Sequence, residues 1–241
     1  VMRQGGNAVD AAIAAAAAIM LTEPVSNGLG SDAFAIVWDG TKLHGLNASG
    51  VAPATWDPAY FAKRHGEQTP LRGADTVTTP GAIAGWTALH EKFGSRSLGD
   101  CLAPAIELAE RGFAISPITQ RKWVAQVDGL KDQPGFADVF MPHGRAPAVG
   151  ERFAIPGAAA TLRRIAEHGG REYYEGETAE RLAAYIQSCG GTMTRDDLAA
   201  YQPEWVDTIS RSYMDHELHE IPPNGQGIAA LMAIGMLEHF D

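Results

Sequence analysis

Residues Gly28-Leu29-Gly30-Ser31-Asp32-Ala33 spell G-x-G-x-x-A, the pattern of a dinucleotide-binding turn. That turn does its chemistry only between a strand and the helix whose N-terminus meets the pyrophosphate. Here an alanine-rich helical stretch precedes the glycines and a β-type run follows them. The order is reversed, so the segment is read as a glycine-rich crossing that binds neither nicotinamide nor flavin. No G-x-S-x-G elbow, Walker loop or H-E-x-x-H zinc helix is present. The eight histidines are scattered, and only His216 and His219 fall within four residues of each other. On a strand, side chains three positions apart point to opposite faces, which sets this pair against sharing a metal. Asp196-Asp197 stands at a helix start, where capping accounts for acidic side chains. Cys101 and Cys189 form no CxxC pair or Cys/His ligand set, and both are expected to be ordinary buried thiols. The residues alone define no catalytic constellation, no metal site and no cofactor.

Charge and hydropathy narrow the partners. The net charge of -10 leaves no basic footprint for nucleic acid and disfavours docking on an anionic membrane. With 45% apolar and 20% charged residues, the composition is that of an ordinary globular chain. The apolar run from Ala11 to Leu21 is flanked by Asp10 and Glu23. It falls short of the roughly 20 residues a bilayer span needs and reads as a core helix. The sequence opens at Val1 without methionine, inside a helical pattern, so upstream residues are expected.

The elements that must position any chemistry follow from local punctuation. Asn7 is an N-cap with Asp10 three residues on, as in a capping box. Pro24 and the glycines break that helix. Ala33 to Trp38 and Lys42 to Leu46 flank Asp39-Gly40, a dipeptide suited to a type I′ hairpin turn. The nearly continuous apolar first strand predicts burial on both faces. Further helices are predicted after Asp57-Pro58, from Thr79-Pro80 to Phe93, from Ser97 or Gly99 to Arg111, and near Thr119 to Val127. Others are predicted over Pro156 to His168 and Glu177 to Ser188, each closed by a glycine pair, and after Thr194 through Tyr201. Val206 to Tyr213 and Glu217 to Ile221 read as strands. Pro222 to Gly227 reads as a loop, and Ile228 to Phe240 as a final amphipathic helix. That helix lacks a C-cap, so Asp241 is expected to be a truncation point. No repeat or linker divides the chain, and residues 1–241 are expected to form a single α+β domain, mostly helical.

One family unites these blocks. Gly5-Gly6-Asn7-Ala8-Val9-Asp10-Ala11-Ala12 resembles the opening signature of the gamma-glutamyltranspeptidases. Similar blocks recur in the family's order at Thr78 to Trp86, Ala103 to Ala109, Tyr173 to Gly176, Gly190 to Tyr201 and Ile221-Pro222-Pro223. The resemblance implies the large-subunit part of a layered αββα N-terminal-nucleophile hydrolase. In such enzymes a precursor cuts itself in two, and the new N-terminal threonine of the small subunit is nucleophile and base together. The resemblance places that threonine downstream, so the catalytic residues within this chain are none. It implies a partner, the small subunit from the same precursor, and requires neither metal nor organic cofactor.

The resemblance also singles out the loop Asn47-Ala48-Ser49-Gly50-Val51-Ala52-Pro53, with Asn47, Ser49 and Gly50 as candidate substrate-binding residues. In the family this loop carries an arginine that pairs with the alpha-carboxylate of the glutamyl donor. Ser49 stands at that position and cannot supply a bidentate charged contact. Either another cation replaces it or the acyl donor is not an ordinary gamma-glutamyl compound. Asn47 and Ser49 are also suited simply to holding a turn. The leading expectation is gamma-glutamyltranspeptidase-like acyl transfer or amide hydrolysis. The alternatives are an acylase of another amide, such as a glutaryl or beta-lactam side chain, and a non-catalytic binding module on the same scaffold. The isolated 241-residue chain is expected to release no chromophore from a gamma-glutamyl anilide. Turnover by the purified chain that survives removal of contaminants would refute this.

Overall fold

The computed structural model describes residues 1–240. Asn7 caps helix α1 (Ala8–Thr22) through the predicted capping box. Its Oδ1 accepts the Val9 and Asp10 N–H groups at 2.9 and 3.0 Å, and its own N–H donates to Asp10 Oδ2 at 2.8 Å. Asp10 also reaches across the fold. It is wholly buried and accepts the Ser95 N–H at 3.0 Å and the Ser95 hydroxyl at 2.5 Å. Burial alone would raise this carboxyl. Hydrogen bonds from the Ser95 hydroxyl and from the Asn7, Ser95 and Arg96 N–H groups outweigh it and hold the group far below the usual carboxylate range.

Strands β1 (Ala33–Trp38) and β2 (Leu43–Ala48) form the predicted hairpin, in register from Ala33↔Ala48 to Trp38↔Leu43. The turn centres one residue later than the sequence suggested. Asp39 is its first corner, with Oδ1 accepting the Thr41 and Lys42 N–H groups, and Gly40 takes φ +101° as the first central residue. Helix α2 (Pro58–His65) is capped by Asp57. Helix α3 (Ala82–Phe93) begins later than the predicted Thr79-Pro80, because those two residues are held by other segments described below. Helix α4 (Leu98–Arg111), capped by Ser97, packs on α1 along one side.

Two short strands absent from the sequence reading, β3 (Phe113–Ala114) and β4 (Arg152–Phe153), pair around α5 (Pro117–Leu130) and α6 (Phe136–Phe140). Helix α7 (Pro156–His168) also packs on α4. It is followed by α8 (Glu172–Glu175), α9 (Glu177–Ser188) and α10 (Arg195–Ala200), the last closed by a Thr194/Asp197 capping box. Ile13, Ala17, Leu21, Leu102, Ala105 and Leu162 fill the centre of the core with almost no exposure. Cys101 is buried with them, but Cys189 is only half-buried because it ends α9 at the surface.

The predicted strand from Val206 to Tyr213 is two strands, broken at Asp207-Thr208. Strand β5 (Glu204–Val206) adds to β2, giving the sheet order β1-β2-β5, whereas β6 (Ile209–Tyr213) pairs with β7 (His216–Glu220) as a separate hairpin. Helix α11 (Gly227–Leu237) packs on that hairpin. It is shorter than predicted and not amphipathic: apolar residues run all round it, and Ile228, Met232, Met236 and Leu237 are exposed.

Strand β1 corrects the expectation of two buried faces. Ala33, Ala35 and Val37 pack inward, while Phe34, Ile36 and Trp38 are 44%, 40% and 60% exposed. Among the described residues, no helix is long and apolar enough to cross a membrane.

The Asp10 node predicts a measurable dependence. Asp10→Ala removes the acceptor of the Asn7, Ser95 and Arg96 N–H groups and the Ser95 hydroxyl, and should cost roughly 3 kcal/mol at pH 7 by urea unfolding. A folded pKa below the unfolded one stabilises above the unfolded value and is lost as pH falls toward the folded value. The gap between wild type and Asp10→Ala should therefore narrow below about pH 4. A gap independent of pH would show that Asp10 acts only by filling space.

Candidate functional site

The loop after β2 is built by backbone approaching backbone. Gly50 has φ +77°, and a Cβ there would collide with the Thr79 carbonyl oxygen. A Cβ on Gly81 would collide with the Ala48 carbonyl oxygen in the same way. The two segments are tied by Thr79 N–H donating to the Val51 carbonyl at 2.9 Å. The Ser31 carbonyl accepts the N–H groups of Gly81 and Ala82 at 3.1 and 2.8 Å. The G-x-G-x-x-A crossing thus satisfies the first donors of α3, a task a helix start requires of something.

Tyrosines brace this junction from behind. The Tyr174 hydroxyl, fully buried, accepts the Ala84 N–H at 3.0 Å and donates to the Pro80 carbonyl at 2.8 Å. The Tyr201 hydroxyl accepts the Gly50 N–H at 3.2 Å, and burial pushes both phenols up. Arg171 holds the carbonyls of Ala199 and Tyr201 at 2.8 and 3.1 Å and lies over the Tyr174 ring. Thr79 is buried, and its hydroxyl has no hydrogen-bond partner among the described residues.

The three candidate residues lie together at this loop. Asn47 Oδ1 accepts the Ser49 N–H at 3.0 Å, so the turn role anticipated for Asn47 is real. Asn47 Nδ2 donates to Asn224 Oδ1 at 2.8 Å, and the Ser49 hydroxyl donates to the Gly50 carbonyl at 3.1 Å. Among the described residues, no lysine or arginine forms a hydrogen bond or ion pair with Asn47, Ser49 or Gly50. The sequence reading missed Asn224 and Tyr201 as neighbours of the loop. Both fall in blocks it quoted or bounded, but contacts at separations of 177 and 151 residues leave no local trace.

A concavity of about 330 Å³ opens between α1, the glycine crossing and β1, lined by Ile13, Met20, Gly28, Asp32, Phe34 and Trp86. Burial pushes the Asp32 carboxyl up. The His44–Asp39 pair, 2.7 Å apart, lies at the far, turn end of the hairpin beside Lys92 and so outside the loop. Among the described residues no cluster of three or more His, Cys, Asp or Glu could hold a metal. His216 and His219 stay apart, with His219 facing Thr208 at 3.3 Å. The loop therefore offers neutral hydrogen-bonding groups in fixed positions, suited to orienting a bound group rather than attacking it.

This helix–crossing–hairpin–loop arrangement, with a sheet covered by helices on one face, is the mixed α/β architecture of gamma-glutamyltranspeptidase-type structures. The chain belongs to the gamma-glutamyltranspeptidase family, whose model matches residues 1–241. It is 35% identical to the Glutathione hydrolase-like YwrD proenzyme of Bacillus subtilis (strain 168) over 246 residues, covering 100% of this chain and 46% of that protein. The chain thus spans under half the length of that relative. Among solved structures it resembles cephalosporin acylase from Bacillus halodurans, with TM-score 0.95 and 46% identity over 100% of this chain and 46% of the other. It also resembles gamma-glutamyltranspeptidase from Pseudomonas nitroreducens complexed with L-DON, with TM-score 0.91 and 31% identity over 98% of this chain and 70% of the other.

The junction makes two substitutions diagnostic. Gly50→Ala combines an unfavourable φ with a backbone collision and should cost about 2–4 kcal/mol. Tyr201→Phe loses one hydrogen bond and should cost about 1 kcal/mol. Chemical denaturation ranks them, and equal effects would contradict the close approach at Gly50.

Proposed function

We propose that residues 1–241 form one domain of the large subunit of an amide-cleaving, acyl-transferring enzyme of gamma-glutamyltranspeptidase type. The nucleophile is the N-terminal threonine of a small subunit cut from the same precursor. Its hydroxyl attacks the amide carbonyl while its alpha-amine takes the proton; that proton passes to the leaving amine as the C–N bond breaks, and the acyl group remains as an ester on the threonine. Water or an acceptor amine then releases the acyl group. In this chain Asn47, Ser49 and Gly50 line the acyl-donor pocket and orient the donor, which puts the chemistry beside the loop. The observation that carries the reading is the sheet itself. Phe34↔Asn47 and Ile36↔Gly45 are paired, so the exposed apolar side chains and Asn47 share one outer face. A second sheet carrying the nucleophile would cover that apolar surface and bring its threonine next to the loop in one step.

Ser49 favours a second reading within the same chemistry, an acylase whose donor lacks an alpha-carboxylate. Truncating a buried charged pair costs about 2–5 kcal/mol, so a gamma-glutamyl donor loses much of its recognition when serine stands for arginine. The reading of a non-catalytic module predicts that the full precursor neither cuts itself nor turns over any anilide.

The test uses the self-processed full-length protein. Ser49→Arg should raise the ratio of kcat/KM for a gamma-glutamyl anilide over a glutaryl anilide by about tenfold, or about 1.4 kcal/mol. The two donors differ at the alpha-carbon substituents, so they report on that contact. An unchanged ratio in a processed variant would move Ser49 out of the donor pocket and return ordinary gamma-glutamyl transfer to first place.

A further inference from the structure

The side-chain amide of Asn224 is oriented by a chain of hydrogen bonds whose direction is fixed at its start. A backbone N–H can only donate, so the Ser49 N–H forces Asn47 to present Oδ1 to it. Asn47 Nδ2 must then face Asn224, and as a donor it requires Asn224 Oδ1 in return. The Nδ2 of Asn224 is therefore turned away from Asn47, and among the described residues it has no hydrogen-bond partner. Flipping Asn47 breaks the bond to the Ser49 N–H, and flipping Asn224 alone sets donor against donor at Asn47 Nδ2.

The backbone that carries Asn224 is anchored with equal care. Ile221 is buried and packs over Gly45 of β2, where a Cβ would collide with both Ile221 and Val206. Gly45 and Asn47 are two positions apart on a strand and share its outer face. Ile221 seated at Gly45 therefore delivers the following turn to Asn47. Pro222-Pro223 stiffen the step between them by fixing φ twice. Asn224 itself is exposed at the tip, one side chain from Ser49.

We propose that Asn224 is a specificity-determining residue of the acyl-donor pocket. Its Nδ2 donates a hydrogen bond to an acceptor oxygen at the distal end of the acyl group, beside the position where Ser49 supplies no charge. This rests on the amide-cleaving reading above and adds to it a substrate class: acyl chains that end in a carboxylate or carbonyl oxygen. A neutral amide recognises either, because both present lone pairs to an N–H.

The test compares three p-nitroanilides with the self-processed enzyme: glutaryl, its terminal methyl ester, and pentanoyl, which has no distal oxygen. Wild type should prefer one or both oxygen-bearing donors over pentanoyl. Asn224→Ala should lower that preference at least fivefold, chiefly through KM. Asn224→Asp keeps the acceptor for Asn47 but replaces the donor by a negative charge, so it should lower the glutaryl preference further than the ester preference. A role confined to holding the loop would depress all three donors alike, and ratios unchanged within twofold in both variants would overturn the proposal. If wild type cleaves none of the three, the amidase reading itself fails, which is a separate result. If either variant does not process, wild type labelled with ¹⁵N at asparagine decides. Glutarate should shift the Asn224 side-chain amide resonances and pentanoate should not; equal shifts, or none, would overturn the assignment.

Discussion

Two stretches of main chain meet with no side chain between them, and the rest of the site depends on that contact. Ala48 to Val51 lies against Thr79 to Ala82 because Gly50 and Gly81 each leave room for the other segment's carbonyl oxygen. One contact therefore fixes three things: the end of β2, the start of α3, and the conformation of the loop. The bonds to Ser31 and Val51 satisfy backbone groups that so close an approach would otherwise strand. Packing density makes the arrangement all-or-none, since a methyl group at either glycine has nowhere to go. The Tyr174 and Tyr201 hydroxyls then act as struts of fixed length, each bonded to main chain of the junction.

The sheet turns that rigidity into a direction. Leu46 and Ala48 face α3, where Gly85 lets the helix settle onto Ala33 and Ala48. Alternation then sends Gly45 and Asn47 to the opposite face, together with Phe34, Ile36 and Trp38 of the paired strand. One face is anchored to the helical core and the other carries polar groups beside an uncovered apolar surface. Among the described residues β1 is also an edge strand, which leaves main-chain groups open to a further strand. Both features suit a sheet built to be completed by another layer.

Much of this was legible from local signals. The capping box at Asn7/Asp10, the Asp57-Pro58 start, the glycine-closed helices and the hairpin each rest on interactions within a few residues, and each was found where its residues stood. The larger failures share a cause, whereas the one-residue shift of the hairpin turn came from Asp39 bonding the Thr41 and Lys42 N–H groups beside it. The start of α3 moved because Thr79 and Pro80 are claimed by segments distant in sequence. The strand predicted from Val206 split at Asp207-Thr208 because β5 found a partner in β2, at the pair Val206↔Gly45 far earlier in the chain. Composition predicted burial on both faces of β1, and the chain supplies cover for only one. The candidate residues were located through family blocks and not through chemistry. Their environment, above all Asn224, required knowing that Ile221 lands on Gly45.

That environment bears on how strongly such a pocket can hold a donor. A bidentate arginine–carboxylate contact draws on charge as well as geometry, whereas a neutral amide contributes about 0.5–1.5 kcal/mol per hydrogen bond. On the proposed reading, distal recognition through Asn224 is weaker than an ion pair but independent of the acyl group's charge. Selectivity then comes from the opposite side of the ledger. A donor with no distal oxygen leaves the amide unpaired once water is excluded, and an unpaired buried donor costs about 1–3 kcal/mol. The pocket would discriminate by penalising what lacks an acceptor rather than by rewarding one particular anion. Such a site needs its amide held still, because a side chain free to turn back to water would erase the penalty. Asn47, bonded on one side to the Ser49 N–H and on the other to Asn224, is the residue that prevents the turn.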